Sequence, residues 1–245
     1  MTTKPPGRRL AQGSVFPILA ALTSMAHADD IHPLSEAALA KAIAAPEVQQ
    51  ARQLMRDPKH DADIVALFAK AAQKGNPVAQ TYLGYLNYVG NGVQQNDQAA
   101  ATWYKQAAEQ GFLDAELRLG AIYKLGRNLY DPNRTVIQDN QTAMHWLQIA
   151  ANQGSAEALT QIGEIYFLDG SKEGFQTGRD FFRRAAAKGD AWGMSLLCFT
   201  YHFADSGSSE QTAACQMAQQ HPYQSRFSNE TDAILNSDQI PAASY

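Results

Sequence analysis

The sequence predicts an all-α protein, organised as a solenoid of stacked antiparallel helix pairs. The first observation behind this prediction is a five-residue signature, Ala-Ala-x-(Lys/Gln)-Gly, which occurs four times in the 245 residues. Successive copies are separated by 36, 43 and 35 residues, a period typical of helical repeat architectures. The copies end at Gly75, Gly111, Gly154 and Gly189.

The second observation is that flanking positions repeat together with the signature. A large apolar pair begins eight residues before each signature glycine: Leu67-Phe68, Trp103-Tyr104, Trp146-Leu147 and Phe181-Phe182. A small residue stands four residues after it: Ala79, Ala115, Ala158 and Gly193. An apolar–small pair ends nine residues after it: Leu83-Gly84, Leu119-Gly120, Ile162-Gly163 and Leu197-Cys198.

These offsets predict two helices in each unit. The apolar pair and the alanines of the signature are three, four and seven residues apart, which places them on one face of a first-half helix. The signature glycine then ends that helix, because glycine accepts a left-handed backbone. A second-half helix follows, and the glycine within it costs roughly 1 kcal/mol relative to alanine. We therefore expect a neighbouring helix to approach closely there, with the Trp or Phe of a first-half helix packed over the glycine.

Two segments resemble the Sel1-like repeat family, a subclass of the tetratricopeptide superfamily. They are LGYLNYVGNGV, from Leu83 to Val93, and AATWYKQAAEQG, from Ala100 to Gly111. The resemblance covers residues 61–205 as four repeats. It departs at the connection 125–140, which is seven residues longer than the first and lacks Gly-x-Gly-Val, and at Cys198, which replaces a helix glycine. The resemblance implies a right-handed superhelical solenoid used for protein–protein contact; it does not imply a catalytic activity.

The first 28 residues have the layout of a secretory signal peptide. Lys4, Arg8 and Arg9 precede a short apolar stretch, residues 15–25, and Ala26-His27-Ala28 is a small-x-small cleavage site. The stretch is too short for a spanning helix, and no cysteine follows it to carry a lipid. The paired arginines are compatible with twin-arginine export, but the surrounding residues fit Sec export better. We predict cleavage after Ala28 and, together with the resemblance, a bacterial periplasmic location.

The charge balance excludes two classes of partner. Without the signal peptide the chain keeps 17 basic and 24 acidic residues, a formal charge of −7. Nucleic acids and anionic membranes both require a basic face, so neither is an expected partner.

Helical caps are predicted at both ends of the repeats. Residues 29–60 contain two alanine-rich helices, with Ser35 as N-cap of the first and Pro46 in the first turn of the second. Asp61 is the expected cap of the first repeat helix. Residues 206–245 comprise a capping helix over 208–220 and a polar tail, which we expect to be mobile.

The two cysteines, Cys198 and Cys215, are predicted to form a disulfide. An even pair in an oxidising compartment is most simply a structural bond. One cysteine lies within the last second-half helix and the other in the capping helix expected to pack against it. A redox or metal-binding pair would require a CxxC spacing or a histidine cluster, and the sequence has neither.

No catalytic motif or cofactor fingerprint is recognisable, so a non-enzymatic binding protein is predicted. The histidines show no metal-ligand spacing, and the chain has no nucleophile elbow, P-loop or dinucleotide motif. Some cysteine-rich relatives of the Sel1 type have been credited with β-lactam hydrolysis, but they carry a cysteine pair in each repeat and this chain does not. Three partners remain open: an envelope assembly, a membrane sensor under periplasmic regulation, or a toxin such as a secreted phospholipase, in which case the chain is an immunity protein.

The resemblance also suggests where a partner binds. In the related tetratricopeptide stack, first-half helices line the concave groove, and the apolar pair must face the interior of the stack. The residues opposite that pair are therefore expected to meet a protein partner. They are Thr102, Lys105, Glu109, His145, Gln148, Asn152, Asp180 and Arg183, and together we call them the first-half face.

Overall fold

The computed structural model describes residues 31–55, 58–126, 136–204 and 208–221. The predicted signal peptide, residues 56–57, most of the long connection and the C-terminal tail lie outside these residues. The described residues form eleven α-helices. Their bounds are α1 Glu36–Ile43, α2 Pro46–Leu54, α3 Asp61–Gln73, α4 Pro77–Val89, α5 Asp97–Ala108, α6 Leu113–Leu125, α7 Asn140–Asn152, α8 Ala156–Leu168, α9 Lys172–Ala187, α10 Ala191–Ala204 and α11 Ser209–Gln220.

Helices adjacent in sequence pack against one another along the stack, which confirms the predicted all-α solenoid. First-half helices are α3, α5, α7 and α9, and second-half helices are α4, α6, α8 and α10. Each second-half helix contacts the first-half helix before it and the helix after it. Helix α8 also packs against α6 and α10, its counterparts in the neighbouring units. The core therefore runs as a continuous seam rather than as a closed ball.

All four signature glycines end a helix in the left-handed conformation, as expected. Their φ angles lie between 76° at Gly111 and 96° at Gly154. The next helix begins at once, because a polar side chain caps it in three of the four units. Asn76 and Ser155 accept hydrogen bonds from the backbone N–H groups of Ala79 and Ala158. The carboxylate of Asp190 accepts one from Gly193 at 2.6 Å.

The glycines within the second-half helices permit a close helix–helix approach. A Cβ atom on Gly84 would lie 2.7 Å from the ring of Tyr104, and one on Gly120 would lie 2.6 Å from the side chain of Leu147. A Cβ on Gly163 would lie 2.6 Å from the ring of Phe182. The expectation of Trp or Phe over each glycine is therefore wrong in two cases. The partner is the second residue of the apolar pair in the following unit, because that residue points most directly into the seam.

The N-terminal helices extend the stack by one further pair. Ser35 caps α1 through the N–H of Ala38, and Pro46 opens α2, as predicted. Helix α2 packs on α3 in the way that a second-half helix packs on the next first-half helix. The expected cap at Asp61 is wrong, since Asp61 is the first helical residue of α3 and the N-cap is His60, which makes no side-chain capping bond.

An extended segment before α1 crosses to the second repeat. The N–H of Leu34 donates to the carbonyl oxygen of Gly111 at 3.0 Å, and the carbonyl of His32 lies directly over the Gly111 Cα. Ile31 and Leu34 pack against the main core. The sequence does not signal this contact, which ties residues 31–34 to a turn more than 70 positions away.

The last helix, α11, is held to α10 by a disulfide between Cys198 and Cys215, as predicted. Only Ala214 of α11 is buried, so the helix contributes little apolar surface of its own. We expect reduction to release α11 and to lower the melting temperature by several degrees, because the cross-link restricts the unfolded chain. Hydrogen exchange with and without dithiothreitol shows whether α11 is released, and thermal unfolding under the same two conditions gives the melting temperature.

Faster exchange confined to α11 and its contact surface on α10 is the expected pattern under reducing conditions. Unchanged protection of α11 would contradict it, and so would loss of protection in α3–α8, none of which contains a cysteine.

Candidate protein-binding surface

The structure places the first-half face on α5, α7 and α9, the first-half helices of three successive units. Six of its eight residues are exposed, and His145 and Gln148 are half-buried. The apolar pairs on the same helices turn inward, since Tyr104, Leu147 and Phe182 are each at most 2% exposed. The prediction that these polar positions point away from the seam therefore agrees with the burial of their neighbours.

Most side chains of this face interact within their own helix. The ammonium of Lys105 lies 3.8 Å from the carboxylate of Glu109. The amide of Gln148 donates to Asn152 at 2.9 Å. Such exposed pairs contribute well under 1 kcal/mol each, so a partner can replace them at little energetic cost.

Arg183 is the most constrained residue of the face. Its guanidinium forms an ion pair with Asp180 and donates to the hydroxyl of Tyr201 on α10 at 3.2 Å. The hydrogen bond that Arg183 donates to Tyr201 raises the pKa of Arg183 above its ordinary value, so the side chain is charged at every physiological pH. The face thus presents a fixed cation on α9.

The second-half helices carry a different set of polar contacts. Lys124 on α6 forms an ion pair with Glu164 on α8, and the indole N–H of Trp192 on α10 donates to the same carboxylate at 2.7 Å. On α6, Arg118 lies 2.9 Å from Asp114. The contacts of Glu164 were not predicted from the sequence, because its partners lie 28 and 40 residues away in different repeats. Periodicity gave no signal for these groups, since Arg118, Lys124 and Glu164 are each the only charged residue at their offset from the signature glycine among the four units.

Another polar contact recurs between units. In the first three units, the residue before the signature glycine donates to a side chain on the helix that precedes its own. Lys74 donates to Glu47 on α2 at 2.6 Å, and Gln110 donates to Gln80 on α4 at 2.7 Å. Gln153 donates to Glu116 on α6, also at 2.7 Å. This explains in physical terms why the signature carries Lys or Gln at that position.

The pKa values of the two acids in this series, Glu47 and Glu116, are shifted in opposite directions. The Lys74 ammonium holds the pKa of Glu47 well below its usual range. Burial raises the pKa of Glu116 to about 7, and the amide of Gln153 offsets this only in part. The Glu116 side chain is fully buried, and its Oε2 has no hydrogen-bond partner among the described residues.

In the part of the chain that the structure describes, no helix is long and apolar enough to cross a bilayer. Within the same residues, no three His, Cys, Asp or Glu side chains cluster as ligands for a metal ion.

Three segments of the chain match the family described as Sel1 repeat: residues 77–112, 114–155 and 156–190. Each matched segment begins with a helix that we have termed second-half and ends with the first-half helix of the next unit. The matches thus cover α4 to α9 as three consecutive helix pairs.

Solved structures show the same fold. A Sel1 repeat protein from Oxalobacter formigenes is 26% identical, with a TM-score of 0.59 over 74% of this chain and 77% of that one. A protective antigen of uropathogenic Escherichia coli, described as displaying an SLR fold, is 25% identical, with a TM-score of 0.54 over 66% of this chain and 34% of its own length. An immunity protein from Pseudomonas aeruginosa is 20% identical at a TM-score of 0.45, which is too remote to support a functional argument.

Proposed function

Because the chain belongs to the Sel1-like repeat family, whose helix pairs generally mediate protein–protein binding, we propose that it is a non-enzymatic periplasmic protein that binds a protein partner. The observation that carries this proposal is the repetition of exposed polar positions on packed helices. A surface formed by rigid helices loses little conformational freedom on binding, so many weak contacts add up to useful affinity.

The periplasmic location rests on two features. The signal-peptide layout of residues 1–28 predicts export. The Cys198–Cys215 disulfide is compatible with an oxidising compartment. We expect the mature protein to begin at Asp29, which intact-mass measurement on fractionated cells checks. A cytoplasmic species that retains Met1 would refute this part of the proposal.

The proposed binding surface is the first-half face. The test is capture from a periplasmic extract with the purified full chain and with a Lys105→Glu, Gln148→Glu, Arg183→Glu variant. A matched control, Lys41→Glu, Gln216→Glu, Lys188→Glu, introduces the same changes in charge at exposed positions elsewhere. We expect the first variant to lose a partner that both the wild type and the control retain. Circular dichroism verifies that all three chains keep their helices.

The boundaries of the three segments that match the Sel1 repeat make a second variant necessary. They count the second-half helix as the first helix of each repeat, so the comparison with the tetratricopeptide groove depends on which helix is counted first. Trp192→Ala removes an exposed aromatic residue from the second-half helices. Loss of capture in this variant, with capture retained by the first-half variant, would move the binding surface to those helices.

The identity of the captured protein separates the functional hypotheses. A membrane sensor or an envelope-assembly component supports the regulator or scaffold role. A secreted phospholipase or other toxin supports the immunity role, which we keep as the alternative. Absence of any specific partner would refute the proposal as a whole.

A further inference from the structure

A row of exposed apolar side chains follows one edge of the stack. The residue fourteen positions after the signature glycine is exposed and apolar in three successive units: Val89, Leu125 and Leu168, with exposed fractions of 41%, 63% and 73%. Each is the last residue of its second-half helix. They therefore lie at the edge where second-half helices end and first-half helices begin, and we call this the apolar edge.

Aromatic residues widen the row at α8, α9 and α10. Phe167 lies beside Leu168, and its ring centroid is 4.8 Å from that of Phe175 and 6.0 Å from that of Phe199. Phe175 and Phe199 remain 39% and 47% exposed. Of the nine large apolar residues that are exposed in the described part of the chain, seven lie at this edge, including Ile137 and Met55, which follows the last residue of α2. Such a concentration marks an interaction site rather than scattered surface residues.

Among the described residues, the charges around the apolar edge are mainly acidic. First-half helices begin there, and acidic residues favour helix N-termini because they interact with the helix dipole. Acidic side chains stand at the N-cap or in the first turn of α3, α7, α9 and the capping helix α11: Asp61, Asp63, Asp139, Glu173 and Glu210. Asp169 adds another exposed carboxylate, and Lys59 and Lys172 are the exposed bases nearby in the part of the chain that the structure describes. The opposite ends of the first-half helices carry Lys70, Lys105 and Arg184 in their last turns.

We infer that the apolar edge docks a basic, amphipathic helical segment of a partner protein. Helices α6 and α8, which carry Leu125 and Leu168, pack against each other, and packed helices are about 8–10 Å apart. On a single helix, residues seven positions apart on one face are separated by about 10 Å. A segment with leucine-like residues at that interval and lysine or arginine beside them would match both the row and its acidic rim. The acidic rim disfavours anionic lipid as an alternative occupant.

This inference rests on the proposed function, since it names the chemistry of a protein partner, but it assigns a different surface from the first-half face. The probe is a fluorescein-labelled 14-residue peptide of leucine and lysine, with leucines at i, i+3, i+4 and i+7. Its analogue with glutamate in place of lysine is the charge control. Fluorescence anisotropy with the full chain reports the Kd.

We expect the lysine peptide to bind the wild type, with a Kd that rises as salt is added. In the double variant Leu125→Ser, Leu168→Ser, which we call the edge variant, the Kd should rise at least tenfold. The control is Met217→Ser, which removes an exposed apolar residue near the C-terminal end of α11, away from the edge, and should bind as the wild type does. Equal binding by the edge variant, or equal binding of the glutamate peptide, would overturn the inference.

Two further measurements distinguish a peptide site at the edge from a lipid-binding surface and from the first-half face. Co-sedimentation tests whether the full chain binds vesicles of zwitterionic phosphatidylcholine. If the wild type binds the vesicles and the edge variant does not, the edge is a lipid-binding surface and the peptide assignment is refuted. The first-half variant should bind the peptide with unchanged Kd. If the first-half variant loses partner capture but still binds the peptide, both surface assignments are supported. If it loses peptide binding, the assignment of the peptide site to the apolar edge is refuted.

Discussion

Replacing Phe182 with alanine should lower the free energy of unfolding by about 3–5 kcal/mol, the range for a fully buried phenylalanine. The ring is inaccessible to solvent and lies between α8 and α10, where it packs on Gly163 and near Phe167. Removal of the ring leaves a cavity that the neighbouring helices cannot close without shifting the whole seam. Urea denaturation followed by circular dichroism measures the loss.

The control for this substitution is Phe175→Ala, on the same helix but 39% exposed, which should cost about 1 kcal/mol or less. A second control tests the contact itself. Gly163→Ala should destabilise the wild type by about 1–3 kcal/mol, because its Cβ would meet the Phe182 ring at 2.6 Å. In the Phe182→Ala background the same change should be less harmful, although the carbonyl oxygen of Gly178 still lies 3.0 Å from the new Cβ. Additive effects of the two substitutions would show that the ring and the glycine are not coupled.

This seam illustrates how far the sequence predicts the fold. Fixed offsets around each signature identified the helix pairs, the glycine stops and the buried alanines, because those features depend on local backbone geometry. The residue packed over each glycine belongs to the next unit, and its choice depends on how two helices cross. The periodicity of one unit does not contain that information, so Tyr104 and Leu147 were not predicted as the partners of Gly84 and Gly120.

The same distinction applies to the candidate surfaces. Exposure of most of the first-half face followed from helical periodicity, since Lys105 and Arg183 lie opposite the buried apolar pairs. The apolar edge was not predicted, although Leu125 and Leu168 share an offset from the signature glycine. A leucine at the end of a helix is indistinguishable in sequence from one that packs on the following loop. Only the three-dimensional arrangement shows that these side chains remain exposed.

The buried carboxyl of Glu116 leads to a prediction about pH. Its pKa is about 7 in the folded protein, because burial disfavours the charged form, against an ordinary value of 4.5. Between these two values the folded state binds more protons than the unfolded state, so stability falls as pH rises. The loss is complete above about pH 8 and amounts to about 3 kcal/mol. Below about pH 4.5 Glu116 is protonated in both states and contributes no pH dependence.

Glu116→Gln should therefore stabilise the protein at pH 8, by about 2–3 kcal/mol, and change little at pH 5. Glutamine keeps an oxygen that accepts the hydrogen bond from Gln153 while removing the buried charge. The gain is expected to fall short of the full value, because the new amide N–H group replaces Oε2, which has no partner among the described residues. Urea midpoints measured from pH 5 to pH 8 test this, with the exposed Glu109→Gln as control. Parallel pH profiles for the wild type and Glu116→Gln would mean that Glu116 is ionised and solvated in the folded protein.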